Sequence, residues 1–457
     1  MQPQPKVAST KERIEAGKVL REKVPRSSHG EWAAPKNRPD PIAQILQSDR
    51  GRVPELLPIR YERMSQSPFA FFRGAANLMA ADLAKTPTTG IRVQACGDCH
   101  LANFGGFASP ERTLLFDIND FDETLPAPWE WDVKRLATSA VLAGKELGAS
   151  KELCADAAQI VAQSYRTHMH AFARMRAMET WYSHIEASVL IKQAPTQGAA
   201  KYWKAEEQRA RLQTAGHLLK KMTEVAKGWR RIVDNYPLVF HPRKYASFER
   251  EVRDIFDRYR LTLPVERRVV LDRYHFVDAA IKVVGVGSAG TRCGLVLLMA
   301  GEDDPLFLQF KEAQASVLEP YAGKSRYENH AERVATGQRM LQAASDVFLG
   351  WTRDRQERDF YFRQLRDMKM TIDITSMSVK DWQEFLRVCG WALARGHART
   401  GDSAKISGYT GKGEIFDEAI REFALEYAAQ VRRDYKEFLQ ALRDGRIKTS
   451  KKSKPSG

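Results

Sequence analysis

A glycine-rich loop with apolar β-type runs on both sides sets the first limit on this chain. Gly285-Val286-Gly287-Ser288-Ala289-Gly290 spells G-x-G-x-x-G. In a dinucleotide-binding fold such glycines lead from a strand into a helix whose N-terminus holds a pyrophosphate. Here IKVVGV precedes the glycines at 281–286 and LVLL follows at 295–298. A Gly-Glu-Asp-Asp turn and LFLQF at 306–310 come next. Strand, glycine loop, strand excludes the dinucleotide unit. It leaves a plain hairpin with a flexible turn, or a loop that covers phosphates with its amides. Lys311 ends the next strand, where a cation can meet such phosphates.

The β-type pattern continues to DFYFRQL at 359–365, interrupted by one helical stretch at 326–344. Helical periodicity dominates on either side of this region. SPFAFFRGAANLMAADLAK reads as a helix with Ser67 as N-cap and Pro68 at its first position. Helices are also expected from 131 to about 183, over 199–226 and 247–260, and near 379–399 and 414–443. Short strands fit 91–95 and 113–117. The chain is therefore expected to be α+β, with a β-rich segment inserted between helical segments that pack together as one lobe. The boundaries are a Pro-rich basic arm at 1–57 with at most a short helix near Ile42–Gln47, a helical part at 58–260, a β-rich part at 261–370, closing helices at 371–445 and a solvated basic tail at 446–457.

Charge narrows the partners. Lys and Arg number 72 against 57 Asp and Glu, a net charge of +15. The balance favours anionic partners such as nucleotides, phosphorylated substrates, nucleic acid or a membrane surface. Part of it lies in the arm and the tail, and no nucleic-acid motif accompanies the Lys- and Arg-rich helices around 201–231. No apolar run approaches the ~20 residues of a membrane span. The N-terminus lacks the apolar core of a secretory signal, so a cytoplasmic protein is expected.

The stretch ACGDCHLANFGGF, 95–107, holds two competing signals. Cys96-Gly97-Asp98-Cys99-His100 reads as C-x-x-C-H, a haem-attachment signature that requires export. A zinc site needs two further ligands, yet Cys154, Cys293 and Cys389 are isolated, and His168 and His170 point apart on a helix. A redox pair usually opens a helix, whereas a strand follows here. The second signal is Asp98 and Asn103, spaced D-x-x-x-x-N. After the strand at 113–117 comes the acidic run Asp117-Ile118-Asn119-Asp120-Phe121-Asp122-Glu123. In-line phosphoryl transfer uses one carboxylate to orient the attacking hydroxyl, and Asn and Asp oxygens to hold Mg²⁺. Asp98, Asn103 and Asp117 supply those groups in that order, with Asp120 and Asp122 as alternatives to Asp117. Cys96 and Cys99 are then small apolar fillers under the loop.

Two resemblances follow from these stretches. RYERMSQSPFAFFRGAA, CGDCHLANFG, FDINDFDETLPAPWEWDVKRLA, VVGVGSAGTRC, PLFLQFKEAQASVLEPY, FYFRQLRDMK and LARGHARTGD resemble the bacterial family known as domain of unknown function 2252, over about 57–442. At the level of motifs alone, the chain resembles aminoglycoside-phosphotransferase-like kinases. Their usual order is glycine loop, lysine, helix, hinge, a Leu-Ala-x-x-His helix, catalytic loop and metal Asp. Gly285–Gly290, Lys311, the 326–344 helix, FYFRQL and Leu393-Ala394-Arg395-Gly396-His397 follow it, but the Asp98 loop and Asp117 precede them all. The resemblance thus implies a two-lobed, protein-kinase-like fold in circularly permuted order, with Lys311 and Asp117 facing one cleft.

It also implies roles. Gly285, Gly287, Ser288 and Gly290 would cover ATP phosphates, and Lys311 would pair with them. Lys311 would be supported by Glu332 or Glu328 on the following helix. Asn103 and Asp117 would hold Mg²⁺, and Asp98 would act on the hydroxyl of an unidentified acceptor. Asp132 would buttress the catalytic loop, and His100 would anchor it. Arg73, Arg363, Arg366 and Lys369 are candidate anion contacts. Two other readings stay open. One is a metal-dependent phosphoesterase built on Asp98, His100, Asp117, Asp120 and Asp122. The other is a non-catalytic pseudokinase or basic nucleic-acid-binding protein.

Overall fold

The computed structural model describes residues 8–448 except 195, 227, 288, 366, 367, 375 and 376. Ser288, Arg366 and most of the basic tail lie outside the described residues.

The β-rich segment forms a six-stranded antiparallel sheet. Its order is Gly350–Arg353, Asp359–Gln364, Asp304–Ala313, Cys293–Gly301, His275–Lys282 and Val239–Phe240. Successive side chains of a strand point to opposite faces, and both faces of this sheet are covered. Val296 and Leu298 pack with Val252, Ile255, Phe256 and Tyr259 of the helix Tyr245–Thr262. Leu295 and Leu297 pack with Leu218 and Leu219 of the helix Ala215–Met222 on the other side. Burial on both faces is why LVLL reads as an unbroken apolar run rather than an alternating one. The sheet therefore recruits helices from the segment assigned by sequence to the helical part. Its boundary falls before residue 215 rather than at 261, because the apolar faces of both helices pack on this sheet.

The remaining helices form the second part. Trp129–Glu146, Lys151–Phe172, Val379–Thr400 and Ile415–Arg443 pack together around one large apolar core. The expected helix at 67–85 is present as Pro68–Gly74 and Ala76–Leu83, broken at Ala75, with Ser67 Oγ accepting from the Ala70 amide at 3.0 Å. A three-stranded sheet, Met370–Thr371, Phe104–Ala108 and Leu114–Ile118, lies in this part, so the chain leaves the large sheet and pairs directly beside the Asp98 loop.

Residues 8–57 are not an extended arm. Thr10–Lys23 is a helix with a capping box between Ser9 and Glu12. It packs against Ser403–Thr410 so closely that a Cβ on Gly17 or Gly408 would strike the backbone opposite. Arg38 then ties the segment down, pairing with Asp82 at 2.8 Å and Asp434 at 2.7 Å. The prolines set turns in a chain whose backbone is nevertheless docked. No described helix is long and apolar enough to cross a membrane.

Candidate functional site

The Asp98 loop runs from the strand Arg92–Ala95 to the turn Leu101–Asn103. Gly97 has φ +83°, and a Cβ there would meet the Glu123 backbone, so the loop needs glycine at this point. Asp132, in the first turn of Trp129–Glu146, accepts from the amides of Cys96 at 2.6 Å and Gly97 at 3.0 Å. His397 Nε2 lies 3.1 Å from the same carboxylate, and its Nδ1 lies 2.9 Å from the Tyr165 hydroxyl. A fully buried chain, Tyr165–His397–Asp132, thus fixes the loop from beneath. Ser139 Oγ accepts from the Leu101 amide at 3.1 Å, and Asn103 Nδ2 donates to the Asp98 carbonyl at 2.8 Å.

Arg135, one turn beyond Asp132, donates from Nε to Asp98 Oδ1 at 2.8 Å and from Nη2 to the Phe72 carbonyl at 3.0 Å. This holds one oxygen of Asp98 and leaves Oδ2 facing the glycine loop, 3.8 Å from where a Gly287 Cβ would sit. Burial raises the Asp98 carboxyl above its ordinary range, with Arg135 opposing. Burial, together with Arg73 and Arg135, keeps His100 neutral. Cys96 and Cys99 are free thiols within the core, raised in pKa, as expected of fillers.

The acidic run divides in two. Asp117 does not reach a cleft. It is fully buried, paired with Arg395 Nη2 at 2.7 Å, and accepts from the amides of Ile118 and Ala343. The same Arg395 Nη2 donates to the Leu341 carbonyl at 2.5 Å. Asp117 therefore anchors the end of the helix His330–Leu341, and the metal role expected of it does not fit that placement. The physical reason is its partner: the strand is buried along its whole length, and Arg395 of Val379–Thr400 holds the carboxylate inside the core. Asp120 and Asp122, beyond the strand end, are the acids that face open space.

Lys311 donates to Asp122 Oδ2, and Tyr361 donates to Asp122 Oδ1 at 2.9 Å. Burial opposes ionisation of both partners of the ion pair, but each stabilises the other's charge: Lys311 is raised and Asp122 lowered. For Asp120, burial and the neighbouring Asp122 push the carboxyl upward, against Lys311 and Arg363. Glu332 is not brought to Lys311. It shares the half-exposed face of its helix with residues 336, 339 and 340, while 331, 334, 335 and 338 are buried. Glu328 is exposed. Asp122 takes the lysine instead, and Gln338 and Gln342 are the side chains this helix turns into the cleft.

Two cavities meet here. The first, about 550 Å³, lies between Val283–Gly285, Gln309 and Lys311 on the sheet side and Asn103, Asn119 and Asp120 opposite, with Arg363 and Lys369 at its wall. The second, about 410 Å³, lies between Gly285–Gly287 and the acids Asp98, Asp120, Asp122 and Glu123. Gly285, Asn103 and Asp120 line both. The glycine loop is itself held. Arg63 Nη1 donates to the carbonyls of Val284 at 2.8 Å and Gly285 at 2.7 Å, and Arg52 Nη1 donates to that of Ala289 at 2.7 Å. Gly290, at φ +95°, receives the Val53 amide on its carbonyl at 2.7 Å. Sequence reasoning did not find Arg52, Arg63 or Arg135. Only Arg135 carried a signal, lying one helical turn after Asp132.

Fold and site together define an α+β protein whose antiparallel sheet and helical bundle enclose a polar, charge-rich cleft. The chain belongs to the family described as uncharacterized proteins conserved in bacteria (DUF2252), whose family model matches residues 52–441. Comparison with curated proteins and with solved structures finds no match to either.

Proposed function

We propose that this chain is a two-lobed, kinase-like phosphotransferase in circularly permuted order, using ATP and Mg²⁺ to phosphorylate a hydroxyl of a small acceptor. One observation carries the reading: Lys311, on the strand after the glycine hairpin, meets the acidic loop that follows Asp98 and Asn103, 189 residues earlier in the chain. A glycine hairpin, a lysine on the next strand and a helix behind it are the parts of a kinase nucleotide lobe. Here they face a D-x-x-x-x-N loop and a carboxylate.

The residues fit the metal that such a reaction needs. Among the described residues no cluster of three or more His, Cys, Asp and Glu is gathered for an all-protein cage. Mg²⁺ does not require one, since one or two protein ligands, water and phosphate oxygens complete its shell. Asn103 and Asp120, both lining the junction of the two cavities, would hold it. Asp120 replaces Asp117 in that role. Bound there, Mg²⁺ would neutralise charge on the phosphates.

The nucleotide occupies the larger cavity with its phosphates at the junction of the two, where Gly285 lines both and the glycine loop continues over the smaller one. Lys311 exchanges Asp122 for a phosphate oxygen. The acceptor approaches from the smaller cavity, where Asp98 Oδ2 takes the hydroxyl proton. The new O–P bond forms as the bond from the γ-phosphorus to the bridging oxygen breaks, and ADP leaves with that electron pair. Positioning and charge neutralisation supply the rate enhancement.

Isothermal titration of the full chain with ATP tests the reading. Binding at one site per chain that strengthens with Mg²⁺ is expected. Absence of binding rejects the reading.

A further inference from the structure

The smaller cavity has a chemical bias that the reaction itself does not require. Its carboxylates are compensated or committed. Asp98 is held by Arg135 and Asp122 by Lys311. Glu312 pairs with Arg292 at 3.1 Å. Glu123 accepts from the Val317 amide at 2.7 Å, and burial pushes it up to about 7. Asp120 lies at the junction proposed for the metal. Among the cations, Arg60 donates to the Gly74 carbonyl at 2.7 Å and lies 3.6 Å from Asp49, Arg52 holds the glycine loop, and Arg50 is exposed to solvent.

Arg73 differs from all of these. It is partly buried on the cavity wall, at the end of the short helix Pro68–Gly74. Among the described residues it has no carboxylate within 4.0 Å, and its buried Nε has no hydrogen-bond partner. Its guanidinium stands 5.9 Å from the Phe69 ring centroid. Asp98, Glu146 and Asp120 are the acids whose fields reach it. Its carbonyl lies 3.0 Å from where a Gly287 Cβ would sit, so the residue flanks the glycine loop beside Asp98, whose Oδ2 lies 3.8 Å from the same point. A guanidinium withdrawn from water without a paired anion is costly, and its planar fork matches a carboxylate or phosphate.

We infer that the smaller cavity binds an acceptor carrying an anionic group, a phosphate or a carboxylate, and that Arg73 grips this group while a hydroxyl of the same molecule faces Asp98. The inference rests on the phosphotransferase reading for the hydroxyl's fate, but the anion site stands on Arg73 itself. It makes the acceptor a negatively charged metabolite-sized molecule, since the lining also offers the polar side chains Gln47, Asn77 and Gln314, and the volume lies within the range of about 300–1,000 Å³ usual for small-molecule sites.

Thermal stability of the full chain under titration with inorganic phosphate, and separately with acetate, tests this, because a ligand of the native state stabilises it by mass action. Glycerol is the uncharged control. One or both anions should stabilise the wild type and glycerol should not, and the more effective anion identifies the group. Arg73→Gln should weaken the apparent anion affinity at least tenfold, Arg73→Lys should retain part of it, and both should bind Mg²⁺·ATP as the wild type does. Arg363→Gln, in the larger cavity, should leave the Arg73-dependent response in place. An anion response equal in wild type and Arg73→Gln, or lost only in Arg363→Gln, overturns the site. An Arg73-dependent response in a chain that does not bind Mg²⁺·ATP leaves an anion site but overturns its role as an acceptor site.

Discussion

Lys311 Nζ donates to Asp122 Oδ2 across the cleft, joining the glycine-loop sheet to the acidic loop of the helical part. Tyr361, on the neighbouring strand, donates to the other oxygen of the same carboxylate. The pair links the two parts of the protein across the cleft, and in the phosphotransferase reading it places the lysine where phosphates would arrive. Lys311→Met keeps the bulk of the stem and removes the charge. It should cost about 1–3 kcal/mol of stability, because Asp122 keeps Tyr361 and is 23% exposed rather than sealed. It should also lower affinity for Mg²⁺·ATP at least tenfold. Denaturant unfolding and titration calorimetry read the two effects separately.

Asp117 and Arg395 are both 0% exposed, and this pair anchors a helix end rather than a ligand. Breaking it leaves an uncompensated buried guanidinium whose Nε and Nη1 already have no hydrogen-bond partner. Asp117→Ala should therefore cost on the order of 3–5 kcal/mol in chemical denaturation. Asp120→Asn, at the open junction, should change stability by less than about 1 kcal/mol. A larger loss in Asp120→Asn than in Asp117→Ala would reverse the assignment of the two residues.

Asp132 satisfies two loop amides and meets His397. Asp132→Ala strands two buried N–H groups, each costing about 1–3 kcal/mol. Hydrogen exchange at Cys96 and Gly97 should accelerate by at least tenfold, and Asp98 should lose its fixed position. Unchanged protection at those amides would show that the loop is held by something else.

His29 gives a pH signature. It is fully buried, with Nε2 2.7 Å from the Tyr409 hydroxyl, and burial together with Lys134 holds it down to about 3. The unfolded chain binds a proton at this side chain below about 6.5 while the folded chain does not, so stability falls as pH drops from about 6.5 toward 3. The contribution reaches on the order of 3–5 kcal/mol at the acid end. His29→Gln should flatten this part of the stability–pH curve, and an unchanged curve would count against a neutral buried imidazole.

The glycine loop between two strands and the strand carrying Lys311 were legible because each is a local pattern, although that strand runs on to Ala313 rather than ending at the lysine. The Asp98–Asn103 spacing was legible for the same reason. What the sequence did not reveal depends on phase and on distant packing. Asp117 and Asp120 are three residues apart, and it is the pairing of Asp117 with Arg395, 278 residues away in the chain, that draws it inward. Glu332 failed by helical phase, since the buried stripe of its helix passes through 331, 334, 335 and 338. The Ser9–Glu12 capping box was a readable signal for the N-terminal helix, outweighed by the prolines after it. The helix Tyr245–Thr262 showed its apolar stripe in sequence, but not that the stripe covers the sheet.

The most direct test of the phosphotransferase account is the thermal midpoint of the full chain with and without Mg²⁺·ATP, in wild type, Asp120→Asn and Asp117→Ala. The account predicts a rise for wild type, a loss of the Mg²⁺-dependent part of that rise in Asp120→Asn, and a lowered midpoint that still rises with ligand in Asp117→Ala. No rise in wild type, or an equal Mg²⁺-dependent rise in Asp120→Asn, would contradict it.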